Sequence, residues 1–145
     1  KAFPEFIGDM EFKEGILPSL KNFVAQNNTR AICIVTNQAG IERGFVEEYG
    51  FNRKIEYIVE SIRDYIRNKD LDIVFRYCKF SNDMKNRKPG FGMLLDCLRM
   101  IERDSTIPKN EMLMIGDMET DQRTAENFGI DYANVDVFIH AWIPT

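Results

Sequence analysis

The stretch MLMIGDMETD, residues 112–121, runs four apolar residues into Gly116 and then places Asp117, Glu119 and Asp121 within five positions. A buried strand that stops at a glycine and opens into carboxylates has the form of a metal-site floor, because carboxylate oxygens are hard ligands that suit Mg²⁺. Two other stretches carry complementary groups. Thr36 and Asn37 follow the apolar run Ala31–Val35, and Lys88 lies in a loop made basic by Lys85 and Arg87. A threonine hydroxyl donates to phosphate oxygens, and lysine brings a compact positive charge to developing negative charge. Hydroxyl, lysine and paired acids together are the equipment of phosphoryl transfer, in which positioning and electrostatics supply most of the catalysis. Each group alone has a plainer role: the acids as helix caps, the lysine as a solvated surface charge, the threonine as a turn hydroxyl. Only their combination and order point to a site.

The elements that must hold these groups follow from hydrophobic periodicity. Ile16, Leu20, Phe23 and Val24 mark a helix over Gly15–Asn27. The unbroken run Ala31–Val35 suits a strand covered on both faces. Phe51, Ile55, Ile58, Ile62 and Ile66 trace a long amphipathic helix, and Leu71–Tyr77 reads as the next strand. Lys79–Gly92 is polar, basic and interrupted by proline and glycine, so it reads as a loop; Met93, Leu94, Cys97, Leu98 and Ile101 form the following helix. A strand over Glu111–Ile115, a helix over Asp121–Phe128 stopped by Gly129, a short strand Ile130–Ala133 and a final turn or helix over Asp136–Ala141 complete the order. This alternation predicts one domain over residues 1–145, a Rossmann-like three-layer α/β/α sandwich with a mostly parallel sheet. Thr36, Lys88 and Asp117 then fall just beyond the carboxyl ends of strands, where such sheets place their sites. One helix, one strand and a loop separate Thr36 from Lys88, which leaves no room for a large inserted cap domain.

Composition narrows the alternatives. The chain has 44% apolar and 29% charged residues, as soluble globular proteins do, and no apolar run long enough to span a bilayer. Its formal charge of −4 gives no general attraction for phosphate backbones. A single histidine, His140, rules out multi-histidine metal sites. Cys33, Cys78 and Cys97 are far apart with no CxxC spacing, so they read as free thiols in a reducing, cytoplasmic setting.

Three stretches, IVTNQAGIERG (34–44), NRKPGFGM (86–93) and MIGDMETD (114–121), resemble motifs II, III and IV of the haloacid dehalogenase (HAD) superfamily of phosphatases. Within it they are similar to the branch holding histidinol-phosphate phosphatases, heptose bisphosphate phosphatases and the phosphatase half of polynucleotide kinase/phosphatase. The resemblance covers nearly the whole chain in the correct order and implies a Mg²⁺-dependent phosphomonoesterase with a HAD-like fold. It implies that Thr36 binds the transferring phosphoryl group, that Asn37 supports it, and that Lys88 stabilises charge on nucleophile and phosphate. Asp117 would ligate Mg²⁺, with Asp121 as second ligand or outer-shell support. Arg43 and Arg87 would lie near the substrate, and Glu119 is expected in solvent.

The family attacks phosphate with the first aspartate of a D-x-D-G-T motif that ends its first strand, giving an aspartyl-phosphate intermediate. The nearest match here is Asp9-Met10-Glu11, with no apolar strand before it and no Gly-Thr after it. The chain is therefore expected to lack the family's first strand and nucleophile and, as it stands, not to turn over substrate. The stretch Lys1-Ala2-Phe3-Pro4, the C-terminal FGIDYANVDVFI and the isolation of Cys78 before motif III, where zinc-loop relatives cluster ligands, tilt the resemblance towards a nucleic-acid 3′-phosphatase without structural zinc. A sugar-phosphate or histidinol-phosphate phosphatase is the alternative. A non-catalytic HAD-fold domain that binds or senses phosphate is another.

Overall fold

The computed structural model describes residues 12–101 and 106–145, so Lys1–Pro4 and Asp9–Glu11 lie outside the described residues. The elements run α1 (Ile16–Asn27), β1 (Ala31–Asn37), α2 (Ala39–Glu42), α3 (Glu48–Ile66), β2 (Asp72–Cys78) and α4 (Gly92–Ile101). After a 3-10 turn (Lys109–Glu111) come β3 (Leu113–Gly116), α5 (Glu119–Phe128), β4 (Asp131–Asn134) and α6 (Val135–Trp142). The fold is mixed α/β with parallel strand pairing, as the alternation predicts.

β1 extends past the apolar run, so Thr36 and Asn37 form its last two residues instead of following it. It pairs in parallel with β2, Ile32 beside Ile73 and Thr36 beside Tyr77. Parallel neighbours need a crossover, and α2 with α3 supplies it. Alternate residues of β1 face opposite ways. Ile32, Ile34 and Ile73 pack with Val24 of α1 and with Ile58, Ile62 and Ile66 of α3. These three isoleucines recur at helical spacing, and each contributes roughly 1.5–3 kcal/mol on full burial. On the other face Cys33 meets Cys97 of α4, whose thiol is pushed up by its hydrogen bond to Cys33 and by burial. All three cysteines are free.

β3 and β4 form a second parallel pair, Leu113 beside Asp131 and Gly116 beside Asn134, with α5 packed on both. Gly129 ends α5 at φ 83°, a left-handed conformation open to glycine without strain, and its N–H bonds the Ala125 carbonyl. The final segment is a full helix, α6, because Asn134 caps it: its side-chain oxygen accepts from Asp136 N–H at 2.9 Å.

Three details depart from the periodic pattern. α2 is too short to show a period. The strand expected from Glu111 begins at Leu113, because residues 109–111 curl into the 3-10 turn behind Pro108. The four described strands form two pairs, β1–β2 and β3–β4, and a cavity of about 980 Å³ lies between them. Its lining runs from Ile34 and Met114 to Lys88, Asp117 and Asp121 at the carboxyl ends of the strands. Between Thr36 and Lys88 the chain holds only α2, α3, β2 and a loop, so no large cap is inserted. Among the described residues no helix is long and apolar enough to cross a membrane.

Candidate active site

Thr36, Gln38, Lys88 and Asp121 are buried to 4, 3, 7 and 3% exposure, a concentration of polar groups that a core tolerates only when they are partnered. The end of β1 supplies the first two. Gln38 is anchored by its own N–H to the Cys78 carbonyl at the end of β2, 2.7 Å away. Its side-chain amide donates to Thr36 Oγ1 at 3.1 Å. With one lone pair so engaged, the Thr36 hydroxyl keeps its hydrogen for an acceptor such as a phosphate oxygen; its contact with the Asn37 carbonyl, 3.4 Å, is long for such a bond. Gln38→Met keeps the bulk and removes the donor. It is expected to cost about 1–2 kcal/mol in urea unfolding, since a buried hydroxyl loses its partner.

Asn37 positions the next group. Its Oδ1 accepts from the Lys88 N–H at 2.9 Å, and its Nδ2 donates to the Lys88 carbonyl at 3.3 Å. The loop is also gripped from α5, where Asn127 Nδ2 donates to the Pro89 carbonyl at 3.0 Å. Within the loop, Asp83 turns the chain by accepting from the Lys85 and Asn86 N–H groups, and the Asn86 side chain holds its carboxyl below the usual range. Gly90 and Gly92 sit where a Cβ would run into neighbouring backbone, 2.6 Å and 2.8 Å from the Lys85 carbonyl oxygen. Lys88 is thereby fixed by its main chain, and its ammonium pairs with Asp121 Oδ1. An ammonium has three donors, so this pair leaves capacity for an anion.

The carboxylate end is equally tight. Asp121 Oδ2 accepts from Met118 N–H at 3.2 Å, which starts α5. Asp121 lies directly over Gly116, where a Cβ would stand 2.5 Å from the Asp121 Cβ. Asp117, half-buried, occupies the turn between them. On the far side Tyr132 donates its hydroxyl to the Gly116 carbonyl at 2.8 Å. The Tyr132 phenol is pushed up by burial, then by Asp121 and Asp117.

The structure thus joins Asn37, Lys88 and Asp121 by direct bonds, with Thr36 next to Asn37 on β1 and Asp117 on the Asp121 turn. Glu119 is exposed, 3.9 Å from Arg123. Arg43 is exposed after α2, and among the described residues no side-chain bond or ion pair ties it to the cluster. Arg87 is half-buried, with Nη1 shielded from solvent and, among the described residues, lacking a hydrogen-bond partner. Sequence alone assigns no role to Gln38 or Tyr132. Gln38 had a signal, as a polar residue straight after a strand that already ends in Thr-Asn; Tyr132 had none, because its target lies on another strand.

The donors suit Mg²⁺ by chemistry: the turn offers oxygen only. Among the described residues no three acidic, histidine or cysteine side chains converge on one point. Mg²⁺ asks for less, since one or two carboxylates with water and substrate phosphate complete its shell. Both Asp121 oxygens are engaged, by Lys88 and by the Met118 N–H.

A family profile described as polynucleotide kinase 3 phosphatase matches residues 5–141. The chain is 33% identical over 128 residues to a D-glycero-beta-D-manno-heptose-1,7-bisphosphate 7-phosphatase of Photorhabdus laumondii, covering 82% of this chain and 63% of that protein. It is 31% identical over 130 residues to a D-glycero-alpha-D-manno-heptose-1,7-bisphosphate 7-phosphatase of Campylobacter jejuni, covering 90% and 70%. An Escherichia coli protein of the beta-named kind matches at 30% over 128 residues, covering 82% and 62%. The chain therefore spans less than two thirds of the Photorhabdus and Escherichia proteins. The near full-length profile match and relatives above 30% identity agree: the chain belongs to the polynucleotide kinase 3 phosphatase family of the HAD superfamily.

Proposed function

We propose that this domain works in a Mg²⁺-dependent phosphomonoesterase. The observation that carries the proposal is the main-chain clamp of Asn37 on Lys88, whose buried ammonium pairs with Asp121 beside the Asp117 turn. In this reading Thr36 donates to a non-bridging oxygen of the phosphoryl group, and Lys88 neutralises charge building on it. Asp117 would hold Mg²⁺, which supplies Lewis-acid charge neutralisation when bound. Asp121 supports from behind by holding Lys88 and the start of α5. The chemistry that fits these groups is attack on phosphorus by an aspartate carboxylate, giving an aspartyl-phosphate that water hydrolyses. The three free thiols support a cytoplasmic setting.

For the substrate we put first a polynucleotide 3′-phosphate end. The family description supports it, and Phe45 after α2 and Met84 in the Lys88 loop, 82 and 85% exposed, offer apolar surface on which a base can rest. A sugar phosphate is the second reading, favoured by the printed names of the relatives.

The test is calorimetric titration of inorganic phosphate into the chain with MgCl₂. Binding is expected, weakened roughly tenfold or more in Thr36→Val, since a hydrogen bond to a charged group is worth about 1.5–3 kcal/mol. Equal binding by wild type and Thr36→Val would sink the assignment. Competition between a 3′-phosphorylated oligonucleotide and a sugar phosphate then ranks the two substrate readings.

A further inference from the structure

Cys33 and Cys97 are far apart in sequence and carry none of the proposed phosphoryl chemistry, yet the fold sets their sulfurs against each other. Cys33 stands midway along β1, and Cys97 lies in the second turn of α4, which packs on that strand. The Cys97 thiol donates to the Cys33 sulfur. Both side chains line the cavity between the strand pairs, where Cys33 is half-buried and Cys97 1% exposed. A space of about 980 Å³ admits a small polar oxidant to the Cys33 sulfur. The hydrogen bond also makes the two thiols unequal. It holds Cys33 below its ordinary value, against the opposing effect of burial, and with burial it pushes Cys97 up. The thiolate is the reactive form of cysteine, so Cys33 is the sulfur that attacks first.

Cys78 is no rival partner for Cys33. It lies four positions beyond Val74, which stands opposite Cys33 in the β1–β2 register. That is roughly 13 Å along a strand, whereas the Cα atoms of a disulfide lie within about 7 Å of each other. Its own thiol donates to the Phe80 carbonyl at 3.4 Å and is pushed up by burial.

We infer that Cys33 and Cys97 form a redox-active dithiol, a modification site at which hydrogen peroxide converts the pair into a disulfide between β1 and α4. The Cys33 thiolate attacks one peroxide oxygen and the O–O bond breaks. The departing hydroxide takes up the proton that Cys33 released, leaving water and a sulfenic acid. The Cys97 sulfur then attacks the Cys33 sulfur, the S–O bond breaks, and the leaving hydroxide takes the Cys97 proton. One peroxide is reduced to two waters while two thiols are oxidised to one disulfide, which a thiol reductant reverses. Transient disulfides of this kind are the ones that reducing compartments permit. The bridge ties the strand that ends in Thr36 and Asn37 to the helix that continues the Lys88 loop.

The experiment treats the reduced chain with hydrogen peroxide, alkylates the remaining thiols in urea and maps the peptides by mass spectrometry. The expected product is an intramolecular Cys33–Cys97 bridge with Cys78 alkylated, reversed by dithiothreitol. Cys78→Ser should form the bridge as wild type does. Cys97→Ser keeps a hydrogen-bond donor beside Cys33 and removes the second sulfur, so oxidation should stop at a Cys33 sulfenic acid that dimedone traps. Cys33→Ser should give no dimedone adduct at Cys97. Wild type that keeps all three thiols alkylatable, or that yields cross-linked dimers or a bridge through Cys78 in place of Cys33–Cys97, would overturn the proposal whether or not the variants fold. An adduct at Cys97 in Cys33→Ser as abundant as that at Cys33 in Cys97→Ser would overturn the assignment of Cys33 as the attacking thiol.

Discussion

Replacing Lys88 by methionine is expected to destabilise the fold by about 3–5 kcal/mol, the cost of leaving one partner of a buried ion pair behind. Lys88 and Asp121 are 7 and 3% exposed, so solvent offers the stranded carboxylate almost nothing. Its remaining bond, from the Met118 N–H, is a single neutral donor. The pair itself contributes much less than this figure, because taking both charges out of water offsets most of their attraction. Lys88→Met combined with Asp121→Asn should therefore recover most of the lost stability. Urea unfolding of wild type, both single variants and the double closes the cycle. A loss below about 1 kcal/mol in Lys88→Met would place the pair with surface salt bridges and remove the buried ammonium from the proposed chemistry. The double variant should fold and still fail to bind phosphate, which separates the charge's work in binding from its effect on folding.

Gly116→Ala is expected to cost about 3 kcal/mol, the upper range for forcing extra atoms into a packed site. The added methyl would lie 2.5 Å from the Asp121 Cβ and 2.6 Å from its Cγ, far inside van der Waals contact. The clash is with the root of a side chain on the first turn of α5, so rotation cannot relieve it; the turn or the helix start must move. Movement breaks the Met118 N–H bond and draws Asp121 from Lys88. Asp121→Gly in the same chain removes the Cβ, the Cγ and the oxygens, so the double variant should cost clearly less than the sum of the singles. Strict additivity in thermal or urea unfolding would show that the contact between Gly116 and Asp121 does not govern the turn.

Much of this arrangement is legible in the residues. β1 and α3 declare themselves because a covered parallel strand is apolar throughout and a half-covered helix repeats its isoleucines every three or four positions. The positions of Thr36 and Asp117 are legible because hydroxyl and carboxylate stand where the apolar runs of β1 and β3 end, whereas Lys88 lies in the loop between β2 and α4. The direction of a side chain is not. Asn37 reads as a phosphate-side residue, yet its amide grips both main-chain groups of Lys88, and no residue type announces which way an amide turns. Tyr132 meets a carbonyl sixteen positions earlier through the register of β3 and β4, a tertiary fact absent from any window of sequence. The division of the strands into two pairs is likewise a matter of partners, and alternation along the chain does not name partners.

Because Asn37 clasps the backbone of residue 88 and leaves its side chain alone, the loop's position is indifferent to what that side chain is. Shape and charge at this point are separate inheritances. An exchange at positions 88 and 121 that keeps an oxygen at 121 for the Met118 N–H can rewrite the electrostatic character of the pocket while the frame around it stays still, which gives a lineage, or a designer, a way to change what the domain attracts without rebuilding how it folds.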